Sequence, residues 1–166
     1  MPPEPLTSAT AKRTAAEPSL DVLEELLSFY VRSVNYALSN DLDRRLEGLE
    51  VAHGTGKITT LLMIDREPGI RPSAIARATL RDRPSISRVV APMVEAGLVE
   101  RTTDESERRA QKLRITARGH KVAERVRAIV RDQNEAFFAS LSEEDRRHLL
   151  RILRDLYLKI RNGDMP

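Results

Sequence analysis

Residues 72–101 read PSAIARATLRDRPSISRVVAPMVEAGLVER and contain two short helical patterns separated by a polar turn. Pro72 suits the first turn of a helix, where an amide proton is not needed, and this helix is expected to run to about Thr79. Ile75 and Leu80 are its expected core contacts.

The second pattern of this stretch has its own start and stop signals. Asp82 can cap a helix from about Arg83 to about Ala96, because aspartate accepts hydrogen bonds from free amides at a helix start. Gly97 stands where the end of a helix favours a left-handed residue. Two short helices joined by a turn of three or four residues predict a helix-turn-helix.

A proline lies inside the second of these helices. Pro92 has no amide proton to donate to the carbonyl of Arg88, and its ring crowds that carbonyl, at an intrinsic cost of about 3 kcal/mol. We therefore expect the helix to bend or to end near this position.

The periodicity changes after Gly97. Leu98–Arg101 and Lys112–Ile115 alternate apolar and polar residues, which predicts two strands. The ten residues between them, 102–111, are polar apart from Ala110. Two strands with a charged tip, directly after a helix-turn-helix, predict a wing.

Long helices are predicted before this central part of the chain. Residues 1–18 contain four prolines and little to bury, which predicts a disordered tail. A helix of roughly 40 Å is expected over Leu20–Leu46. A break at His53–Gly56 then precedes a short helix, Ile58–Asp65. The long helix has one apolar face, formed by Leu23, Leu27, Tyr30, Val34, Leu38 and Leu42.

Two further helices are predicted after the wing. Thr116 can cap a helix over about Ala117–Ala139, and Ser142 can cap a final helix that ends at Gly163. The length of the terminal helices predicts a homodimer, and an intramolecular helical bundle is the alternative. The expected inward residues of the first of these helices are Val122, Val126, Ile129 and Val130. The apolar residues of the final helix are Leu149, Leu150, Ile152, Leu153, Leu156 and Ile160.

Composition narrows the classes of function. The chain has 166 residues, 40% of them apolar, which is enough for one domain of ordinary size. It has no cysteine, so disulfides and thiolate metal sites are excluded. No apolar run is long enough for a membrane span. Residues 66–118 hold 12 Lys and Arg against 7 Asp and Glu, as expected of a segment that meets phosphate, although a solvated face can show the same imbalance.

This order of elements resembles the MarR family of winged-helix transcriptional regulators. The resemblance covers roughly residues 20–161 and includes Ser85–Arg88 in the second helix and Ala96–Arg101 before the wing. Glu107–Arg109, followed by Leu113–Thr116, is similar to the family's wing signature. The resemblance implies a mainly α fold with a small β-wing, in which a winged helix-turn-helix domain is flanked by long N- and C-terminal dimerisation helices.

The same resemblance implies a division of the chain into functional segments. The N-terminal dimerisation helix and linker would cover residues 19–56, after the tail of residues 1–18. The winged helix-turn-helix domain would cover 57–116, and the C-terminal dimerisation helices 117–163.

The second helix supplies the expected base contacts. Arg83, Ser85, Ser87 and Arg88 lie near its N-terminal end, which is the end that enters the major groove in helix-turn-helix proteins. Arg88 can hold a guanine by two hydrogen bonds. The alternative is that the serines are ordinary exposed residues and that Arg88 pairs with a nearby acid.

The wing supplies the remaining expected contacts. Arg109 is expected to enter the minor groove and Arg108 to contact phosphate, and the alternative is a solvated hairpin. The family usually has Asp-x-Arg at this point, whereas this chain has Glu107, which can brace Arg109 with a longer side chain.

The resemblance also implies a small aromatic or phenolic effector. Tyr30, Arg32, Tyr36 and His53 are the candidate ligands of this effector, between the dimer and DNA-binding regions. Tyr30 also lies on the apolar face, where a simple packing role is the alternative. No cofactor and no metal site are expected, because the three histidines are far apart in sequence.

The functional prediction is a sequence-specific regulator of transcription. It would bind a palindromic double-stranded DNA operator as a homodimer in the cytoplasm, associated with the nucleoid when bound, and would act as a ligand-responsive repressor. A winged helix used only for protein–protein interaction is the alternative. An enzyme is not expected, since no phosphate loop, Ser-His-Asp order or paired-carboxylate spacing is present.

Overall fold

A computed structural model describes residues 19–103 and 111–164. The predicted disordered tail, residues 1–18, lies outside the described residues. The chain forms two compact units, Met1–Asn35 and Tyr36–Pro166.

The architecture is mainly helical with one small sheet, which confirms the predicted fold class. The sheet has two antiparallel strands, and Val99 pairs with Ile115 at its base. After a short 3-10 helix, Asp21–Glu25, the elements are α1 Leu27–Arg45, α2 Thr55–Arg66, α3 Pro72–Ala78, α4 Arg83–Glu95, β1 Val99–Thr103, β2 Gln111–Ile115, α5 Ala117–Phe137 and α6 Glu143–Asn162.

The prediction of one continuous helix over Leu20–Leu46 is wrong in its first turns. Leu26 is extended, with φ −97° and ψ 112°, and separates the 3-10 helix from α1. Neither the 3-10 helix nor the part of α1 before Leu42 contains a buried residue. The apolar repeat identified a face, but most of the stability of a helix in a protein comes from packing, and packing is weak here.

The core belongs to the second unit. Ile64 of α2, Ile75 of α3 and Ile86 of α4 are fully buried, and Val126 of α5 joins them. The helix-turn-helix is thus packed on α2, α5 and the base of the wing. The other fully buried apolar residues include Leu46, Val51, Leu61, Leu98 and Leu113.

Local capping signals define four helix boundaries as predicted. The side chains of Asp82, Thr116 and Ser142 accept hydrogen bonds from the amides of Ser85, Gly119 and Asp145, respectively. Gly163 ends α6 in the left-handed conformation, with φ 81°. Each signal acts within three residues, which is why the sequence alone predicts it.

Two expectations for the helix-turn-helix need correction. Leu80 is not a core residue: its φ of 55° places it in the left-handed region, and the residue is 47% exposed. The turn requires this conformation, which directs the side chain away from the core. Pro92 does not end the second helix, because α4 continues to Glu95. A bend at Pro92 stays a prediction.

The apolar side of α6 is only partly covered by the described residues of this chain, because Leu149, Leu150 and Leu153 line a cavity with Phe138 and Leu141. None of its residues is buried, although six of its large apolar side chains share one broad face. These exposed residues are Leu149, Leu150, Ile152, Leu153, Leu156 and Ile160.

Candidate nucleic-acid interface

The inner face of α4 fixes the orientation of the whole helix. Ile86, Val90 and Met93 are buried and recur at steps of three and four residues. They therefore form one apolar stripe that packs on the core. The opposite side of α4, with Arg83 and Ser87, is exposed to solvent.

The exposed side of α4 carries a short polar chain at its N-terminal end. The carboxylate of Asp82 accepts a hydrogen bond of 2.7 Å from the amide of Ser85. The Ser85 hydroxyl in turn accepts a hydrogen bond of 3.1 Å from Arg88 Nη2. Hydrogen bonds from Ser85, assisted by the charge of Arg88, hold the pKa of the Asp82 carboxyl below its usual value. The guanidinium is thus oriented by a neutral hydroxyl, and it keeps further N–H donors for a ligand.

The wing is anchored to the core on the side away from its tip. Leu113 of β2 is fully buried and pairs with Ile70 of the segment before α3. The amide of Leu113 donates to the Ile70 carbonyl at 2.9 Å, and the amide of Gly69 donates to the Leu113 carbonyl at 2.9 Å. The wing base therefore behaves as part of the same packed body as α3.

The predicted wing contacts lie at the tip of this hairpin. Glu107, Arg108 and Arg109 fall within residues 104–110, which lie outside the described residues. Their roles stay predictions. The structure does describe the strands that carry them, and Thr103 pairs with Gln111 directly before the tip.

Arg118 connects the end of α4 to the start of α5, and sequence reasoning missed it. Its Nη1 donates to the carbonyl of Ala96 at 2.7 Å, and its Nη2 contacts Glu50 at 2.6 Å. The pKa of the Glu50 carboxyl is held below its usual value by a hydrogen bond from the backbone amide of Glu50 itself and by the nearby guanidinium of Arg118. The partners lie 22 and 68 residues away in sequence, so no local pattern indicates them.

Comparison with known proteins agrees with this geometry. A model of the MarR family matches residues 51–110. A protein of Thauera aromatica, described as a transcriptional regulatory protein for the hcr operon, is 33% identical over 131 residues, which cover 79% of this chain and 78% of that protein. The chain belongs to the MarR family. The members of this family are winged-helix regulators of transcription.

Solved structures share the fold of this MarR-family chain. The transcriptional repressor CouR, bound to a 23-mer DNA duplex, aligns with a TM-score of 0.77 at 23% identity, over 85% of this chain and 99% of that one. BpsR of Bordetella bronchiseptica, whose structure concerns the regulation of DNA binding by 6-hydroxynicotinic acid, aligns with a TM-score of 0.74 at 14% identity, over 84% of this chain and 97% of that one.

The residues predicted to hold an effector fall in both units of this MarR-family protein. In the first unit, Tyr30 donates to the carbonyl of Glu24 at 3.1 Å and Arg32 donates to the Ser28 hydroxyl at 3.2 Å. In the second unit, His53 is exposed, with a left-handed φ of 59°.

Tyr36, the fourth predicted effector ligand, lines an open cavity of about 620 Å³ in the second unit. The cavity also contains the charged side chains of Asp41 and Arg44 and the ring of Phe137. That these four residues together bind an effector therefore stays a prediction.

A more apolar cavity lies between helices of the second unit, and sequence reasoning did not find it. Its volume is about 450 Å³, and its described lining contains one cation, Arg66, and one anion, Glu67. Its floor is formed by side chains of α1, α2 and α5, among them Leu42, Ile58, Leu62, Met63 and Val130. A mainly apolar cavity with one cation and one anion in its lining fits a small, mainly apolar molecule.

An ionic cluster joins α2 to α5. The side chain of Asp65, only 3% exposed, contacts both His120 Nδ1, at 2.7 Å, and Arg127 Nη2. Burial alone would raise the pKa of Asp65, but hydrogen bonds from these two partners outweigh burial and lower it. The hydrogen bond between Asp65 and His120 raises the pKa of His120.

Other chemistry is not visible in the described part of the chain. Within residues 19–103 and 111–164, no three His, Asp or Glu side chains are grouped as metal ligands would be. No helix in these ranges combines the length and the apolarity that crossing a bilayer requires.

Proposed function

We propose that this protein is a repressor that binds an inverted-repeat operator as a homodimer and releases it in response to a small aromatic acid. The observation that carries the proposal is the exposed side of α4, on which Ser85 orients the Arg88 guanidinium toward solvent. Helix-turn-helix proteins place this end of the second helix against base edges. A guanidinium held at one end by a hydroxyl is suited to a bidentate contact with guanine.

The relatives support the finer parts of this proposal. CouR is a repressor and was solved on a DNA duplex, and the DNA binding of BpsR is regulated by an aromatic acid. The family acts by binding DNA, and we propose that this chain likewise acts without catalytic turnover, in the cytoplasm. The cavity lined by Arg66 and Glu67 has the apolar side chains that an aromatic ring packs against, and the Arg66 guanidinium is a partner for the carboxylate of such a ligand.

The test separates base readout from phosphate binding. A duplex is first selected from a random-sequence library with the wild-type protein, and its affinity is compared with that of a scrambled duplex at several salt concentrations. Arg88→Ala should weaken the selected duplex by about 1–3 kcal/mol per half-site and change the scrambled duplex much less. Arg154→Ala, which removes the same charge from an exposed position of α6, serves as the control and should leave the ratio unchanged.

The wing arginines should behave differently from Arg88. Arg108→Ala should weaken both duplexes alike, and the salt slope should fall by about one unit per phosphate contact that is removed. Arg109→Ala should be intermediate, since a narrow A·T-rich minor groove attracts arginine by its shape and potential. Equal weakening of both duplexes by Arg88→Ala would remove Arg88 as the reader. If no duplex is bound at any salt concentration, the winged helix is a protein-interaction module instead.

A further inference from the structure

The exposed face of α4 contains more than Arg88. Pro84, Arg88, Pro92 and Glu95 are all exposed and follow one another at steps of three and four residues, with Ala91 partly exposed beside them. Residues at such steps share one side of a helix. Along this face, the guanidinium of Arg88 is therefore followed by the apolar ring of Pro92 and then by the carboxylate of Glu95.

The apolar group on this face is the ring of Pro92, whose side chain has no polar atom. Pro92 has no amide proton, and its pyrrolidine ring offers only methylene groups to a ligand. It is exposed although α4 continues past it to Glu95. Its Cα lies one helical turn after that of Arg88, about 6 Å along the axis.

The major groove offers a matching pair of groups. Guanine presents the N7 and O6 acceptors, which a guanidinium binds with two hydrogen bonds, and thymine presents its C5 methyl group, which apolar side chains contact. Neighbouring base pairs are 3.4 Å apart along the duplex. A separation of about 6 Å on the helix therefore spans about two base steps.

We propose that the ring of Pro92 reads a thymine methyl group within about two base pairs of the guanine that Arg88 reads. Each half-site then contains a guanine and a thymine within about two base pairs of each other, on the same or on opposite strands. This inference rests on the proposed function, because it requires that α4 enters the major groove. The positive charge of Arg88 at the centre of the face favours nucleic acid over an apolar protein partner as the occupant.

The experiment removes only the methyl group. Wild-type protein selects duplexes from a random-sequence library, and each thymine near the selected guanine is then replaced by uracil, which pairs identically. Burial of one methyl group predicts about fourfold weaker binding when the thymine of one half-site is replaced, and about fifteenfold when both are. Uracil outside the half-sites is the control and should change the affinity by less than twofold.

A protein variant assigns the methyl contact to the ring. Pro92→Ala removes the ring methylenes beyond Cβ that would reach the methyl group, restores the helical amide and raises helix propensity, so the variant is expected to fold. On this variant, thymine and uracil duplexes should bind equally within twofold. A uracil penalty that persists in Pro92→Ala, or a selected half-site without a thymine within two base pairs of its guanine, overturns the inference while the proposed function stands. Failure of the wild-type protein to enrich any duplex overturns both.

Discussion

Gly119 lies where α5 and the start of the wing leave no room for a side chain. A Cβ built at this position would lie 2.0 Å from the carbonyl oxygen of Leu98 and 2.8 Å from Ile115 Cδ1. The Thr116 hydroxyl lies 3.1 Å from the same Leu98 carbonyl, and it also accepts the Gly119 amide at 3.0 Å. The close approach fixes how α5 leaves the wing.

Gly119→Ala should therefore destabilise the protein even though alanine is the better helix former. A backbone carbonyl cannot move away as a flexible side chain can, so the clash should cost about 3 kcal/mol of the free energy of unfolding. The measurement is urea unfolding at one fixed protein concentration. Gly56→Ala is the matched control: Gly56 also lies in the first turn of a helix, but the nearest atoms to a Cβ there belong to the flexible Arg81 guanidinium, at 2.9 Å. The control should stay within about 1 kcal/mol of the wild type, and equal losses would contradict the steric explanation.

Among the helices and strands, the sequence predicted those features that depend on residues only a few positions apart. The caps at Asp82, Thr116 and Ser142 depend on residues three positions away, and all three are present. The two strands and the turn between α3 and α4 also follow from short patterns. Contacts between distant elements were missed, since nothing near Asp65 in the sequence indicates His120 or Arg127, which lie 55 and 62 residues further on.

The site was predicted unevenly for the same reason. Exposure of Arg83, Ser87 and Arg88 follows from the apolar stripe on the other side of α4, which the sequence shows directly. The cavity beside Arg66 requires three helices to meet, and no single segment contains that information.

The cluster that joins α2 to α5 makes the stability of this pair of helices depend on pH. The folded-state pKa of His120 is raised above 6.5, so its contribution is complete below the unfolded value and is lost as the pH rises through the folded value. The folded-state pKa of Asp65 is lowered below 3.8, so its contribution is present above that value and is lost as the pH falls through the folded one. Both contributions coexist between about pH 4 and pH 6.5.

His120→Gln should reduce the loss of stability that the wild type shows between pH 6 and pH 8.5. Glutamine cannot take up a proton here, whereas His120 faces Asp65 and, at 3.7 Å from its Nε2, Glu124 of its own helix. The measurement is the free energy of unfolding in urea across this pH range at constant ionic strength and protein concentration. His148→Gln, at an exposed position of α6, should keep the wild-type slope. Parallel slopes for all three proteins would show that the Asp65–His120 contact does not contribute.

At the scale of the whole molecule, the exposed apolar surface is the feature that a single chain does not explain. The apolar face of α6 presents six large side chains to solvent, and in the first unit Leu27 is 84% exposed. An exposed apolar face such as that of α6 marks an interface in soluble proteins. We propose that a second copy of the chain covers it, since a two-fold dimer would also place two α4 helices on one duplex.

Two copies of α4 on one face of B-DNA should lie about 34 Å apart, one turn of the duplex, and read an inverted repeat.

Leu153→Glu together with Leu156→Glu should abolish the dimer, because each buried leucine contributes about 1.5–3 kcal/mol and a buried carboxylate lacks a partner. These positions are 45% and 42% exposed in one chain, so the monomer should keep its helical content. Sedimentation velocity at micromolar concentration should give a dimer for the wild type and a monomer for the double variant. His148→Glu adds one carboxylate to a polar position of α6 and should stay dimeric. The monomer should bind a duplex with one half-site as the wild type does, but should lose the gain in affinity from the second half-site. A monomeric wild type, or a double variant that keeps this gain, would contradict the dimer.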